Sequence, residues 1–138
     1  MTRTAMETVD YLFKCLEAKQ VAEVAALYRD DIEVWHNFSN AAMSKTDNLR
    51  ILGDVAKSVA QIRYEVLERH DLGGRIVQRH TLRCKLASGA EYVVPACIFI
   101  AVQDGKIRRI EEYLDSAQAN LLRDATGRPR IEPPRAPA

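Results

Sequence analysis

The 138-residue chain has the size of one domain with one hydrophobic core, and its 47% apolar content suits a globule. Twenty Lys and Arg against nineteen Asp and Glu leave a formal charge of +1, which excludes a basic field for holding a nucleic-acid backbone or an acidic membrane surface. The longest apolar run, Tyr92 to Val102, spans eleven residues with a proline inside, far short of a bilayer crossing.

Met6, Val9, Phe13 and Leu16 recur at three- and four-residue steps, and Val21, Val24, Ala25 and Tyr28 resume after a break at Lys19-Gln20, so two consecutive helices are expected. Asp30-Asp31 ends that pattern. Ile32, Val34, His36 and Phe38 then alternate with Glu33, Trp35 and Asn37, the period of a half-buried strand with Trp35 turned away from the core. Residues 38–46 read as a flexible polar loop, in which Phe38 and Met43, with Leu49 beyond them, are placed to gate a cavity mouth. Ser44 followed by Asp47 marks a helix start, and Leu49, Leu52, Val55, Ala56 and Val59 supply the inward stripe of a third helix.

From there the period changes to two. Turn signals at Gly73-Gly74, Ser88-Gly89 and Asp104-Gly105 divide the chain into four strands of a meander, at about 62–72, 75–87, 92–102 and 106–115. In the second of these, Ile76, Gln78, His80, Leu82, Cys84 and Leu86 share one face, while Val77, Arg79, Thr81, Arg83 and Lys85 share the wet one. The third is apolar on both sides and is expected to be central in the sheet. A short helix at about Ser116 to Arg123 closes a domain spanning 1–124, followed by a Pro/Arg-rich tail, 125–138. Beyond Gly127 that tail holds four of the five prolines and three arginines, and it is expected to be an extended, mobile arm outside the core. Cys15, Cys84 and Cys97 are odd in number and lack metal-site spacing, which reads as reduced thiols. The N-terminus lacks the apolar block of a signal peptide, so a cytoplasmic protein is expected.

The element order gives an α+β domain, a cone-shaped barrel in which a strongly curved, mostly antiparallel sheet wraps around the N-terminal helices and leaves a pocket. The segments ALYRDDIEVWHN and DGKIRRIEEYLD, together with the meander, resemble the nuclear transport factor 2-like superfamily in its SnoaL-like and ketosteroid isomerase-like branch, over residues 5 to about 120. The resemblance implies that fold and cofactor-free chemistry, within a group that includes isomerases, polyketide cyclases, dehydratases, epoxide hydrolases and binding modules. Counted from shared landmarks, the aspartate base of the isomerases corresponds to His36. Their proton-donating acid corresponds to Cys97, and their oxyanion-hole tyrosine to a position near Leu12. The epoxide-hydrolase pattern corresponds to Arg79, Thr81 and Glu112, with its middle carboxylate missing. That correspondence turns Arg79 inward where strand alternation turns His80 inward, and both readings stand at this stage.

By alternation, His36, Gln78, His80 and Glu112 face the pocket. Two imidazoles and a carboxylate in an apolar hollow are equipment for moving a proton: a neutral His accepts one, and the carboxylate orients the ring and stabilises its charged form. His36, His80 and Glu112 are therefore the candidate catalytic residues. Gln78, Cys97, Asn37, Tyr64 and Leu12 are the candidate ligand contacts, Gln78 as a donor to a substrate oxygen. A two-His-one-carboxylate set also matches metal ligation. No element supplies two ligands at metal spacing, so no metal is expected, and the resemblance implies that no cofactor is needed. The expected partner is a small apolar organic molecule of lipid, terpenoid or polyketide size, with a second copy of the chain docked through the outer sheet face. A non-catalytic ligand-binding or accessory module and a structural domain with a filled core are the competing readings.

Overall fold

In the computed structural model, which describes residues 2–132, the elements run α1 (Ala5–Glu17), α2 (Val21–Leu27), β1 (Tyr28–His36), β2 (Ala41–Met43), α3 (Lys45–Ser58), β3 (Gln61–Asp71), β4 (Arg75–Lys85), β5 (Glu91–Gln103), β6 (Lys106–Leu114) and α4 (Ser116–Ala125). The six strands form one mixed sheet in the order β2-β1-β6-β5-β4-β3. All its pairings are antiparallel except that of β1 with β6. The sheet is not closed: β2 and β3 are its edges, and the helices pack against one face. Strand β5 is interior, as its two-sided apolar character requires.

Helix α1 begins at a reciprocal cap. The Glu7 amide donates to the Thr4 hydroxyl at 3.1 Å, and the Thr4 amide donates to the Glu7 carboxylate at 3.0 Å. Its apolar stripe, Val9, Leu12 and Phe13, meets Ile76, Ile98, Ile100 and Ile110 of the sheet in the main core. The β5–β6 hairpin turns on Asp104 and Gly105 at φ of 52° and 75°, the left-handed pair that a tight two-residue loop demands. All three cysteines are free, and burial pushes the Cys84 thiol up to about 11, an unreactive filler.

Two features depart from expectation. The segment read as a loop contains β2, which pairs antiparallel with the end of β1 through Val34, Trp35 and His36. Three residues are too few to show a period of two, so only the pairing reveals it. The chain beyond Gly127 also contributes to the core. Ile131 is buried against Val94 and Ala119. The buried Asn120 amide clamps its backbone, donating to the Ile131 carbonyl at 3.0 Å and accepting from the Ile131 amide at 2.6 Å. One apolar residue among prolines and arginines was enough. The rest of the tail, 133–138, lies outside the described residues. Replacing Asn120 by alanine removes both bonds at once and is expected to cost about 2 kcal/mol. Amide hydrogen exchange would detect it as lost protection at Ile131 and little change in the meander.

Candidate functional site

Between α1, α3, α4 and the covered face of the sheet lies a cavity of about 230 Å³. Its wall is mainly apolar, with Leu12, Val34, Leu52, Leu82, Val94 and Ile98 among its residues, and a few polar groups reach it. That combination is the usual construction of a small-molecule site.

His36 and Glu112 are brought together there by strand register. They are Cα partners on the parallel pair β1 and β6, so they project from the same face at the same level. His36 Nε2 lies 3.2 Å from Glu112 Oε1, and the His36 ring stacks on Phe38 with centroids 4.9 Å apart. Glu112 keeps 20% of its side chain accessible, and both residues line the cavity. Burial pushes the Glu112 carboxyl up, but the His36 hydrogen bond and the charges of His36 and His80 outweigh it and hold the group below the usual carboxylate range. The carboxylate thus stays ionised and fixes the ring through Nε2, which leaves Nδ1 as the nitrogen available to exchange a proton.

His80 sits behind that wall. It is 1% exposed, packed edge-on against Phe13 and Tyr64 with centroids 5.4 and 5.2 Å away, and makes no ion pair with Glu112. Arg79, its neighbour, is exposed and bonded to Glu68 at 2.9 Å, so the strand resolves the two sequence readings in favour of alternation. The Arg79, Thr81 and Glu112 set of the epoxide-hydrolase pattern is accordingly not assembled.

The protonation of His80 follows from its neighbours. Arg69 Nε can only donate, and it does so to Gln78 Oε1 at 2.7 Å. The other end of that amide, Nε2, therefore donates to His80 Nδ1 at 2.8 Å, which places the ring proton on Nε2. Protonating Nδ1 would set two donors against each other. Burial, with a contribution from the Arg69 charge, keeps the imidazole below its ordinary range despite the opposing pull of Glu112. Arg69 is in turn held by Asp10 at 3.1 Å.

The remaining sequence candidates divide. Leu12 and Tyr64 line the cavity. Gln78 is fully buried, its amide engaged by Arg69 and His80, and it does not line the cavity, so it is out of reach of a ligand oxygen. Cys97 falls on the opposite face from Ile98, Cα-paired with Arg79 and Tyr113, and so points away from the cavity. Asn37 extends the β1–β6 pairing instead of reaching inward: its side chain donates to the Leu114 carbonyl at 3.3 Å and accepts from the Leu114 amide at 3.1 Å. Phe38 and Met43 reach the cavity wall, whereas Leu49 packs into the main core. Among the described residues no three His, Cys, Asp or Glu side chains converge as a metal-binding group.

Tyr28 and Asn48 are among the wall residues that escaped the sequence reading. Tyr28 opens β1 instead of closing α2, and its hydroxyl donates to Asn48 Oδ1 at 2.9 Å inside the cavity wall. Burial, then the Glu112 charge, pushes its phenol up, so it remains a neutral donor. Asn48 carried a usable signal, because it precedes Leu52 and Val55 by four and seven residues and is thus a polar side chain on the inward stripe of α3.

The family model described as the SnoaL-like domain matches residues 9–110. No protein of curated function matches by sequence. Several solved structures share the fold. A Shewanella putrefaciens CN-32 protein described as a SnoaL-like polyketide cyclase superposes with a TM-score of 0.74 at 10% identity, covering 83% of this chain and 82% of that one. A Catenulispora acidiphila DSM 44928 protein of ketosteroid isomerase-like fold, in complex with trimethylamine, gives 0.70 at 11% identity and covers 93% and 98%. An epoxide hydrolase of M. tuberculosis, described as LEH-like, gives 0.71 at 16% identity and covers 91% and 90%.

Proposed function

The chain belongs to the SnoaL-like domain family, and from that premise we propose that it binds a small apolar organic molecule in its cavity and moves a proton on it without a cofactor. The observation that carries this reading is the His36–Glu112 pair, an ionised carboxylate and an imidazole 3.2 Å apart at the wall of an otherwise apolar hollow. In this reading His36 is the general base and later returns the proton, and Glu112 stabilises its charged form. His80 stands at one remove from the site, packed behind the cavity wall against Phe13 and Tyr64. Isomerisation, cyclisation and dehydration all need that first proton transfer. The complex of a structural neighbour with trimethylamine supports small-molecule binding in this fold.

The proposal extends to a cytoplasmic homodimer docked through the outer sheet face. Support comes from an aromatic group there, with Trp35 and Phe99 both against Tyr113, which is 45% exposed. No helix among the described residues is long and apolar enough to cross a membrane.

Proton abstraction can be tested without knowing the net reaction. A panel of cyclic ketones in D₂O, followed by NMR, should show faster deuterium incorporation beside the carbonyl with the protein than without it. His36→Gln should retain the fold and ketone binding while losing at least ~10²-fold of that acceleration. An unchanged rate would remove His36 as the base. Binding without exchange would instead assign the cavity to a non-catalytic module.

A further inference from the structure

The cavity has a second polar pole that the proton-transfer reading does not use. Arg123 in the last turn of α4 and Arg128 just beyond it both reach the wall. The helix end builds their proximity. Gly127, at φ of 67°, reverses the chain so that the Arg128 amide donates to the Arg123 carbonyl at 2.9 Å and the Gly127 amide donates to the Asp124 carbonyl at 3.3 Å. The Asn120 clamp on Ile131 then pins the segment that carries Arg128.

Among the described residues, neither guanidinium has a carboxylate within ion-pair distance. Asp124 is engaged by Arg130 at 3.3 Å, and Asp54 acts on Arg128 only from farther off. Arg123 spends one nitrogen on the Pro129 carbonyl at 2.9 Å, which leaves the rest of its fork open. Burial lowers both groups, and the charge of Arg128 lowers Arg123 further. Two half-buried like charges facing an apolar hollow carry a cost that an anion between them removes. The His36–Glu112 pair stands on the paired strands β1 and β6, whereas these arginines come from the end of α4 and the segment after it, so the two poles are built by different elements.

We propose that the cavity's ligand is an organic acid, its carboxylate held by Arg123 and Arg128 and its apolar body extending toward His36 and Glu112. This rests on the reading of the cavity as a ligand site and names its substrate class. A carboxylate fits better than a phosphate monoester. Two planar guanidinium forks match one planar monoanion, and the wall offers no lysine, serine or threonine to satisfy a dianion's remaining oxygens.

Isothermal titration with decanoate, 1-decanol and octyl phosphate tests the assignment. The wild type should bind decanoate at least tenfold more tightly than 1-decanol and more tightly than octyl phosphate. Arg128→Gln and Arg123→Gln, each checked for an unchanged circular dichroism spectrum, should reduce the preference for decanoate below threefold and leave 1-decanol affinity as it was. Equal binding of acid and alcohol, or a preference that survives both substitutions, would overturn the arginine pole while leaving the cavity a ligand site. Tighter binding of octyl phosphate would overturn the carboxylate. Binding of none of the three would overturn the ligand-site reading on which the inference stands.

Discussion

Replacing Ile100 by alanine is expected to destabilise the fold by about 3 kcal/mol in equilibrium urea unfolding at pH 7. Ile100 is 0% exposed and forms the middle of a row of three, Cα-paired with Ile76 on β4 and with Ile110 on β6. That row sits on the covered face against the α1 stripe, where close packing leaves little freedom to collapse around a lost side chain. Phe99, one residue earlier, makes the contrast. It lies on the outer face beneath the Arg75 guanidinium, 4.4 Å from its centroid, and truncating it should cost about 1 kcal/mol, the ordinary value for a half-covered position. Equal costs at the two positions would mean that the outer face is as well packed as the inner one in solution, as a second copy docked there would make it.

That asymmetry marks what the sequence could disclose. Alternation along β4 and β5 is unbroken, and there the inward and outward sets, including His80 against Arg79, follow from parity alone. Parity fails where a strand carries an extra residue. In β3 the pairing passes from Val66 with His80 to Glu68 with Arg79, leaving Leu67 over, so the face reverses and Arg69 turns inward onto Gln78. In β6 the pairing passes from Ile107 with Val102 to Arg109 with Ala101, leaving Arg108 over. Counted forward from Ile107, alternation would aim Glu111 at the cavity; the inward direction expected for Glu112 holds because the bulge returns Ile110 and Glu112 to that face. The His36–Glu112 pair is therefore set by sheet register, which the parallel β1–β6 pairing fixes over a separation too long for local pattern to reveal. Gln78 illustrates the other limit. Its inward direction was legible, but its engagement at both ends depended on an arginine whose orientation was not.

Arg69→Met should lower stability at pH 7.5 by about 2 kcal/mol, because it strips the donor from a fully buried amide oxygen on Gln78 while roughly keeping the volume of the side chain. The pH dependence distinguishes this from a mere packing loss. The folded-state pKa of His80 lies below its reference of 6.5, so the unfolded chain binds that proton more readily. The stability associated with neutral His80 is complete above about pH 6.5 and is lost as pH falls through the folded value. Glu112 adds a second loss of the same sign below its reference of 4.5. The wild type should therefore weaken continuously on acidification from pH 7.5 to 4. In Arg69→Met the guanidinium no longer opposes protonation of His80, so the fall between pH 7 and 5 should be shallower and the two stability curves should converge. Arg69→Lys separates the two effects: it keeps the charge but loses the planar fork that engages Gln78 and Asp10, so it should lose stability while retaining the wild-type slope. Parallel curves for wild type and Arg69→Met would uncouple Arg69 from His80 and reduce the chain from Asp10 to His80 to packing.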